Sequence, residues 1–195
     1  KRKFGQGGQL ANWIRSVAFD PVGNCVWIGR FKFLTKYDLS TKRYSDYNLT
    51  RNGNEKANTI QTISLDGDSL LWVGTEAGLH KLYRNDNFEN PVSSLFYDKR
   101  LNYFEGGGQT LSVSSVIPMK DNVWIALDEF LTPENPDYNK GGLYKFNRKN
   151  SWERFEAKDG LQSNGIYSLE LTGRYLWISL YTFNTNQKTQ YGRGL

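Results

Sequence analysis

Few residues of this chain could do chemistry on their own. His80 is the only histidine, and it lies inside the alternating segment Gly78-Leu79-His80-Lys81-Leu82. A general base needs a substrate-facing position and an orienting partner; a histidine within such a strand reads instead as a packing residue. Cys25, the single cysteine, directly precedes Val26-Trp27. It cannot form an internal disulfide, which leaves the redox compartment open, and it reads as a small buried hydrophobe. Asp128, Glu129, Glu134 and Asp137 supply oxygen ligands of the kind calcium takes. Their spacing does not match an EF-hand loop, and a solvated acidic loop is the simpler reading. No Cys/His cluster suits zinc, and no Gly-x-Ser-x-Gly occurs. The runs Gly5-Gln6-Gly7-Gly8 and Gly106-Gly107-Gly108 lead into no helix that would cradle phosphate. No catalytic residue, metal or cofactor is expected.

What remains is recognition chemistry, carried by two long connections. One runs from Asp128 to Lys140 and the other from Tyr181 to Tyr191, and both mix aromatic with polar residues. Connections of this length are uncommon in compact domains and tend to be functional or mobile. Asp128, Glu129, Phe130, Tyr138, Tyr181, Phe183 and Asn186 are therefore the candidate ligand-binding residues, of a composition that suits a saccharide or protein surface.

The elements that must position them repeat. A Trp followed by a β-branched and then a small residue occurs at Val26-Trp27-Ile28-Gly29, Leu71-Trp72-Val73-Gly74, Val123-Trp124-Ile125-Ala126 and Leu176-Trp177-Ile178-Ser179. The Trp-to-Trp steps are 45, 52 and 53 residues, a period that signals an array of small identical units. An apolar segment precedes each: Ile14 to Phe19, Ile60 to Leu65, Val113 to Pro118 and Ile166 to Leu171. Its third position is Ser16, Thr62, Ser115 or Ser168, a short hydroxyl that would find a backbone partner once buried. Turn residues such as Asp66-Gly67-Asp68 and Thr172-Gly173-Arg174 join each pair into a hairpin of strands A and B.

A third strand, C, alternates apolar and polar residues at Phe33 to Tyr37, Gly78 to Leu82 and Gly142 to Phe146, and Gly194-Leu195 matches its start. A fourth, D, fits Ser151 to Phe155, Arg43-Tyr44 to Tyr47-Asn48, and Lys3-Phe4; in the second unit it is either Leu95-Phe96-Tyr97 or Asn102-Tyr103-Phe104. Four-stranded antiparallel units in tandem describe a β-propeller. The expectation is an all-β partial propeller of about four blades in one region, 1–195. Residues 1–10 would be a preceding D strand or a closing strand, 11–50 the first blade, 51–110 the second, 111–161 the third and 162–195 a truncated fourth. A fragment of a larger ring is favoured over a closed four-bladed one. Trp27, Trp72, Trp124 and Trp177 are expected in the core, filling the wedges between blades, with burial of each worth about 2–3 kcal/mol. In a blade the D–A and B–C connections emerge on one face, so both long connections project together.

Composition narrows the partners. The net charge is +5 with a pI of about 9.2, but the basic residues are dispersed among acids, without the stripe that nucleic acid requires. No run of 18 apolar residues would span a membrane.

The segments Ile60-Gln61-Thr62-Ile63, Leu71-Trp72-Val73-Gly74-Thr75, Gly78-Leu79-His80-Lys81-Leu82 and Asp159-Gly160-Leu161-Gln162-Ser163-Asn164-Gly165-Ile166 together resemble the two-component-regulator propeller repeat. The resemblance spans nearly the whole chain. It implies a non-catalytic, extracytoplasmic binding or sensing module of a larger bacterial sensor or surface protein, periplasmic or extracellular. It also implies that further blades of the same polypeptide, or another chain, are partners. Phe33-Leu34 replaces the Gly-Leu of the first C strand, and the third and fourth blades carry inserts. A structural or assembly scaffold is the alternative function. An enzyme resembling streptogramin lyase is less favoured, since it would want His80 on the ligand-bearing face.

Overall fold

The computed structural model describes residues 12–85, 95–99 and 103–194, so the readings made on 1–10 and Leu195 lie outside it. The described chain is all-β apart from short 3-10 turns. Four small antiparallel sheets each follow chain order. The first holds β1 (Ile14–Asp20), β2 (Cys25–Arg30), β3 (Leu34–Asp38) and β4 (Tyr44–Tyr47). The second holds β5 (Ile60–Asp66), β6 (Leu70–Thr75), β7 (Gly78–Tyr83) and β8 (Leu95–Tyr97). The third holds β9 (Val113–Pro118), β10 (Val123–Thr132), β11 (Asn135–Phe146) and β12 (Trp152–Phe155), and the fourth β13 (Gly165–Thr172), β14 (Tyr175–Asn184) and β15 (Thr189–Gly194). These sheets are the blades of a β-propeller. The chain divides into two compact units, Lys1–Phe96 and Tyr97–Leu195, with two blades in each.

In the first unit β2 alternates. Cys25, Trp27 and Gly29 turn to one side, where Cys25, Trp27, Leu34 and Leu49 share a core with Ile60, Ile63, Leu71, Val73 and Leu82 of the second blade. Gly29 permits the close approach: a Cβ there would stand 2.6 Å from Ile60 Cγ2. The third-position hydroxyl finds its partner across the joint, with Ile63 N–H donating to Ser16 Oγ at 3.0 Å. The Trp27 and Trp72 indoles donate to Asp20 and Asp66 at 3.3 and 2.7 Å. Asp20 also pairs with Arg84 of the second blade, both side chains buried. Burial works against the Asp20 charge, but the Gly23 N–H, Arg84 and the Trp27 N–H outweigh it and hold the carboxyl below its ordinary value.

The second unit repeats the joint. Ala126 and Leu143 pack on Ile166, Leu169 and Leu180, with Trp124 against them, and Leu169 N–H donates to Ser115 Oγ at 3.2 Å. In three blades the lysine opposite the Trp in strand C covers its ring: Lys36 over Trp27 at 5.5 Å, Lys81 over Trp72 at 5.8 Å, and Lys145 over Trp124 at 5.6 Å.

Three expectations are corrected. Trp27 and Trp72 are fully buried and Trp124 is half-buried, but Trp177 is 49 % exposed and is not a core residue. The reason is local. Among the described residues the core of the unit lies on the opposite side of β14, where Leu176 and Ile178 pack. Second, the third blade's C strand begins at Asn135 rather than Gly142, and the fourth blade's runs over Thr189–Gly194 rather than opening at Gly194. Third, the two long connections are therefore mostly strand, because continuing the ladder pairs backbone groups that a loop would leave to water. Of the two candidates for the second blade's D strand, Leu95–Tyr97 joins the sheet, and Tyr103 and Phe104 lie in the turn beyond.

His80 is fully buried in β7, its Nε2 2.8 Å from the Ala57 carbonyl and its ring stacked on Phe96 at 4.3 Å. Burial, only partly opposed by that carbonyl, lowers its pKa to about 3. The unfolded chain thus binds a proton below its ordinary value of 6.5 that the folded chain refuses. Stability is lost as pH falls from 6.5 toward 3, with this residue contributing up to about 1.4 kcal/mol per pH unit. Urea titrations across that window should show a shallower acid slope for His80→Gln than for wild type; equal slopes would refute the assignment. Trp27→Ala should cost about 3–5 kcal/mol and Trp177→Ala within about 1 kcal/mol, read by the same denaturation.

Candidate binding surface of the third and fourth blades

The third blade's B–C connection is a long hairpin in which Leu127 faces Gly142, Glu129 faces Lys140, Phe130 faces Asn139 and Thr132 faces Asn135. Asn135 N–H donates to Thr132 Oγ1 at 3.0 Å and tightens its tip. The D–A connection runs beside the same hairpin. Gln109 N–H donates to Asp137 O at 2.7 Å, Thr110 N–H to Tyr138 O at 2.8 Å, and Lys140 N–H to Gly107 O at 2.9 Å. Here the glycine run has its purpose: Gly108 has φ +105°, and a Cβ would lie 2.7 Å from the Asp137 carbonyl. The D–A and B–C connections of this blade therefore form one structure.

The fourth blade's hairpin locks onto it. Tyr181 Oη accepts the Glu129 N–H at 2.8 Å and lies 3.4 Å from the Asp128 carboxylate, which also accepts Ser112 Oγ at 2.7 Å. Phe183 N–H donates to Glu129 Oε2 at 3.2 Å, and the Phe183 ring sits 4.6 Å from that of Phe130. Phe130 meets Tyr138 edge-on at 6.0 Å. Burial raises the Glu129 carboxyl above its ordinary value against the Phe183 N–H. Burial, and then the Asp128 charge, push the Tyr181 phenol well up.

Six of the seven candidate residues thus converge: Asp128, Glu129, Phe130, Tyr138, Tyr181 and Phe183. Asn186 stands at the second hairpin's tip, its N–H donating to Asn184 Oδ1 at 3.0 Å. They do not share one role. Tyr181 and Phe183 are buried and join the hairpins, whereas Phe130 is 40 % exposed and Asn186 is exposed. The acids do not form a nest: Asp137 pairs with Lys140 at 2.7 Å. Among the described residues no three His, Cys, Asp or Glu side chains are placed to hold a metal ion.

Sequence reasoning missed a cavity on the third blade. It measures about 310 Å³ and is lined by Glu105, Gly106, Tyr144, Trp152, Arg154 and Lys158. Tyr144 Oη donates to the Glu105 carbonyl at 2.9 Å, and burial pushes its phenol well above the usual value. Arg154 pairs with Glu156, and Lys158 reaches the same carboxylate at 2.6 Å. The only advance signal was the alternation of Trp152 and Arg154 along one strand, which does not reveal Glu105 beside them.

No protein-family model matches the chain, and no curated protein matches it. Among solved structures it is similar to the extracellular domain of BT4673 from B. thetaiotaomicron, described as a hybrid two component system. That likeness has 20 % identity and a TM-score of 0.49, and covers 86 % of this chain and 26 % of that one. It is similar to a luciferin-regenerating enzyme at 13 % identity and TM-score 0.55, covering 92 % of this chain and 60 % of that one. It is similar also to an auxiliary nutrient binding protein from Bacteroides thetaiotaomicron VPI-5482, at 11 % identity and TM-score 0.56, covering 92 % and 41 %. The chain spans about a quarter of the BT4673 domain. At these identities the likeness shows the fold, and one fold serves an enzyme and a binding protein alike, so function must be read from the site.

Tyr181→Phe removes the oxygen that accepts the Glu129 N–H. It should cost about 1–3 kcal/mol by leaving that amide unsatisfied, measured by thermal unfolding; an unchanged midpoint would show that the hairpins are held by ring packing alone.

Proposed function

We propose that this chain is a non-catalytic binding or sensing module. It forms the extracytoplasmic part of a larger bacterial sensor or surface protein, in the periplasm or outside the cell. It contacts a saccharide or protein through the B–C and D–A side of its third and fourth blades. The observation that carries this reading is the pair of hairpins fastened to each other through Tyr181 and Glu129 and to the D–A connection through Gln109 and Thr110. Such fastening holds Phe130, Tyr138 and Asn186 in place before any partner arrives, which lowers the ordering cost of association. The fate of His80 argues against an enzyme that would use it as a base: its ring is fully buried and engaged with Ala57 and Phe96. Among the described residues no helix is long and apolar enough to cross a membrane.

A second reading, an assembly scaffold, is favoured by one observation. Ile14, Val17 and Phe19 on β1, and Tyr175 and Trp177 on β14, are between 49 and 61 % exposed, which is unusual for apolar blade residues and suits contact with further blades or another chain.

A glycan array and an extracellular-protein pull-down separate the two. Wild type should capture a glycan or protein, and the triple variant Phe130→Ala/Tyr138→Ala/Asn186→Ala should weaken capture at least tenfold, about 1.4 kcal/mol, with unchanged circular dichroism. Capture that survives the triple variant would move the site off the hairpins.

A further inference from the structure

We infer that the third-blade cavity is a second binding site, separate from the hairpin surface, and that its ligand is a small monocarboxylate. All the lining residues belong to one unit. Tyr144 stands on β11, Trp152 and Arg154 on β12, Glu105 and Gly106 in the connection before the blade and Lys158 in the connection after it. Strand pairing sets the walls. Tyr144 faces Arg154 and Phe146 faces Trp152 across the β11–β12 ladder, so these side chains stand on one side of the sheet. Phe146 stacks on the Trp152 indole at 4.4 Å, and Tyr97, Tyr103 and Phe104 close round it at 5.4, 5.7 and 4.8 Å. Arg154 is held at both tips of its fork: one nitrogen pairs with Glu156 and the other donates to the Gly141 carbonyl at 3.1 Å. Glycines make the space round the guanidinium. Gly106 has φ +78° and Gly142 φ +113°, and a Cβ at either would stand 3.0 Å from an Arg154 nitrogen.

These walls offer hydrogen-bond donors in excess of acceptors. Trp152 Nε1 and Arg154 Nε are both buried, and neither has a hydrogen-bond partner among the described residues. An indole N–H and a guanidinium N–H can only donate, and a buried donor left unmatched is costly. Lys158 adds an ammonium, which reaches Glu156 at 2.6 Å. A ligand that fits must therefore bring acceptor oxygens. Charge then selects among such ligands. Arg154 and Lys158 share one carboxylate, Glu156, which leaves a single positive charge over. Glu105, exposed in the lining, opposes a second negative charge on the ligand. A carboxylate joins paired acceptor oxygens to a single charge and matches this set; a phosphate dianion exceeds it. The volume of about 310 Å³ limits the ligand to a small molecule.

Proton–nitrogen correlation spectra of the 195-residue chain, titrated with acetate, benzoate and glucuronate, test this. At least one of these probes should shift the Trp152 indole N–H and the Gly106 amide saturably below ~10 mM. Its neutral counterpart (acetamide, benzamide or glucose) should bind about tenfold more weakly or worse, and so should inorganic phosphate. Arg154→Gln, read at the Gly106 amide, should lose about tenfold in affinity. Trp152→Phe keeps an aromatic ring in the cluster and removes the donor. It should weaken binding about threefold or more with unchanged circular dichroism, and it decides the matter where Arg154→Gln fails to fold. The inference is overturned if no carboxylate moves these signals, if the neutral counterpart binds equally, if phosphate binds more tightly, or if Trp152→Phe binds as wild type does. Neither variant touches Phe130, Tyr138 or Asn186, so failure here leaves glycan or protein capture by the hairpins intact, and the reverse.

Discussion

The joint between consecutive blades is the interaction on which the rest depends. It combines a Trp face, a small residue that admits the neighbouring strand, and a hydroxyl-to-amide hydrogen bond. A single four-stranded sheet with two apolar faces cannot stand alone in water. Stacking removes both faces at once, and most of the gain is the apolar area taken from solvent. The hydrogen bond adds less energy but sets register. An amide of an edge strand that points away from its own sheet would be costly to desolvate without a partner. The small position works in the same direction, since at Gly29 any side chain would collide with Ile60.

The carboxylate buried in the first joint gathers several partners. Asp20 binds Gly23, Trp27 and Arg84 together, tying a hairpin turn, an indole and the next blade to one carboxylate. A buried pair of this kind contributes little net energy over an apolar replacement, but loss of one partner strands a charge. Its effect is to fix how the two blades of the first unit meet. The Lys-over-Trp pairs act more gently: an aliphatic stem and an ammonium cover an indole that strand C would otherwise leave open.

The hairpins of the third and fourth blades use the same physics for another end. Here a phenol, not an indole, links the elements, and Tyr181 and Phe183 are consumed in making the platform rigid. That division separates residues buried between the hairpins from residues left exposed, Phe130 and Asn186 among them.

Much of this was legible in the amino-acid order, and the boundary is physical. The positions of β1, β5, β9 and β13, the Trp strands and the hairpin turns follow from alternation, repeat length and turn chemistry, all of which are local. The shared hydroxyl at Ser16 and Ser115 announced a backbone partner because four copies carry it. The lysine opposite each of three tryptophans was visible at the same place in three C strands, had cross-strand pairs been compared. Tertiary structure alone decided the rest. Whether a Trp is buried depends on what faces it, so Trp27 and Trp177 share a motif and differ in environment. Whether a polar, aromatic stretch is loop or strand depends on a partner strand, and both long connections found one in themselves. Tyr181 reads as a ligand contact in sequence and is a buried tie in space, because only the fold brings the Glu129 amide to its oxygen.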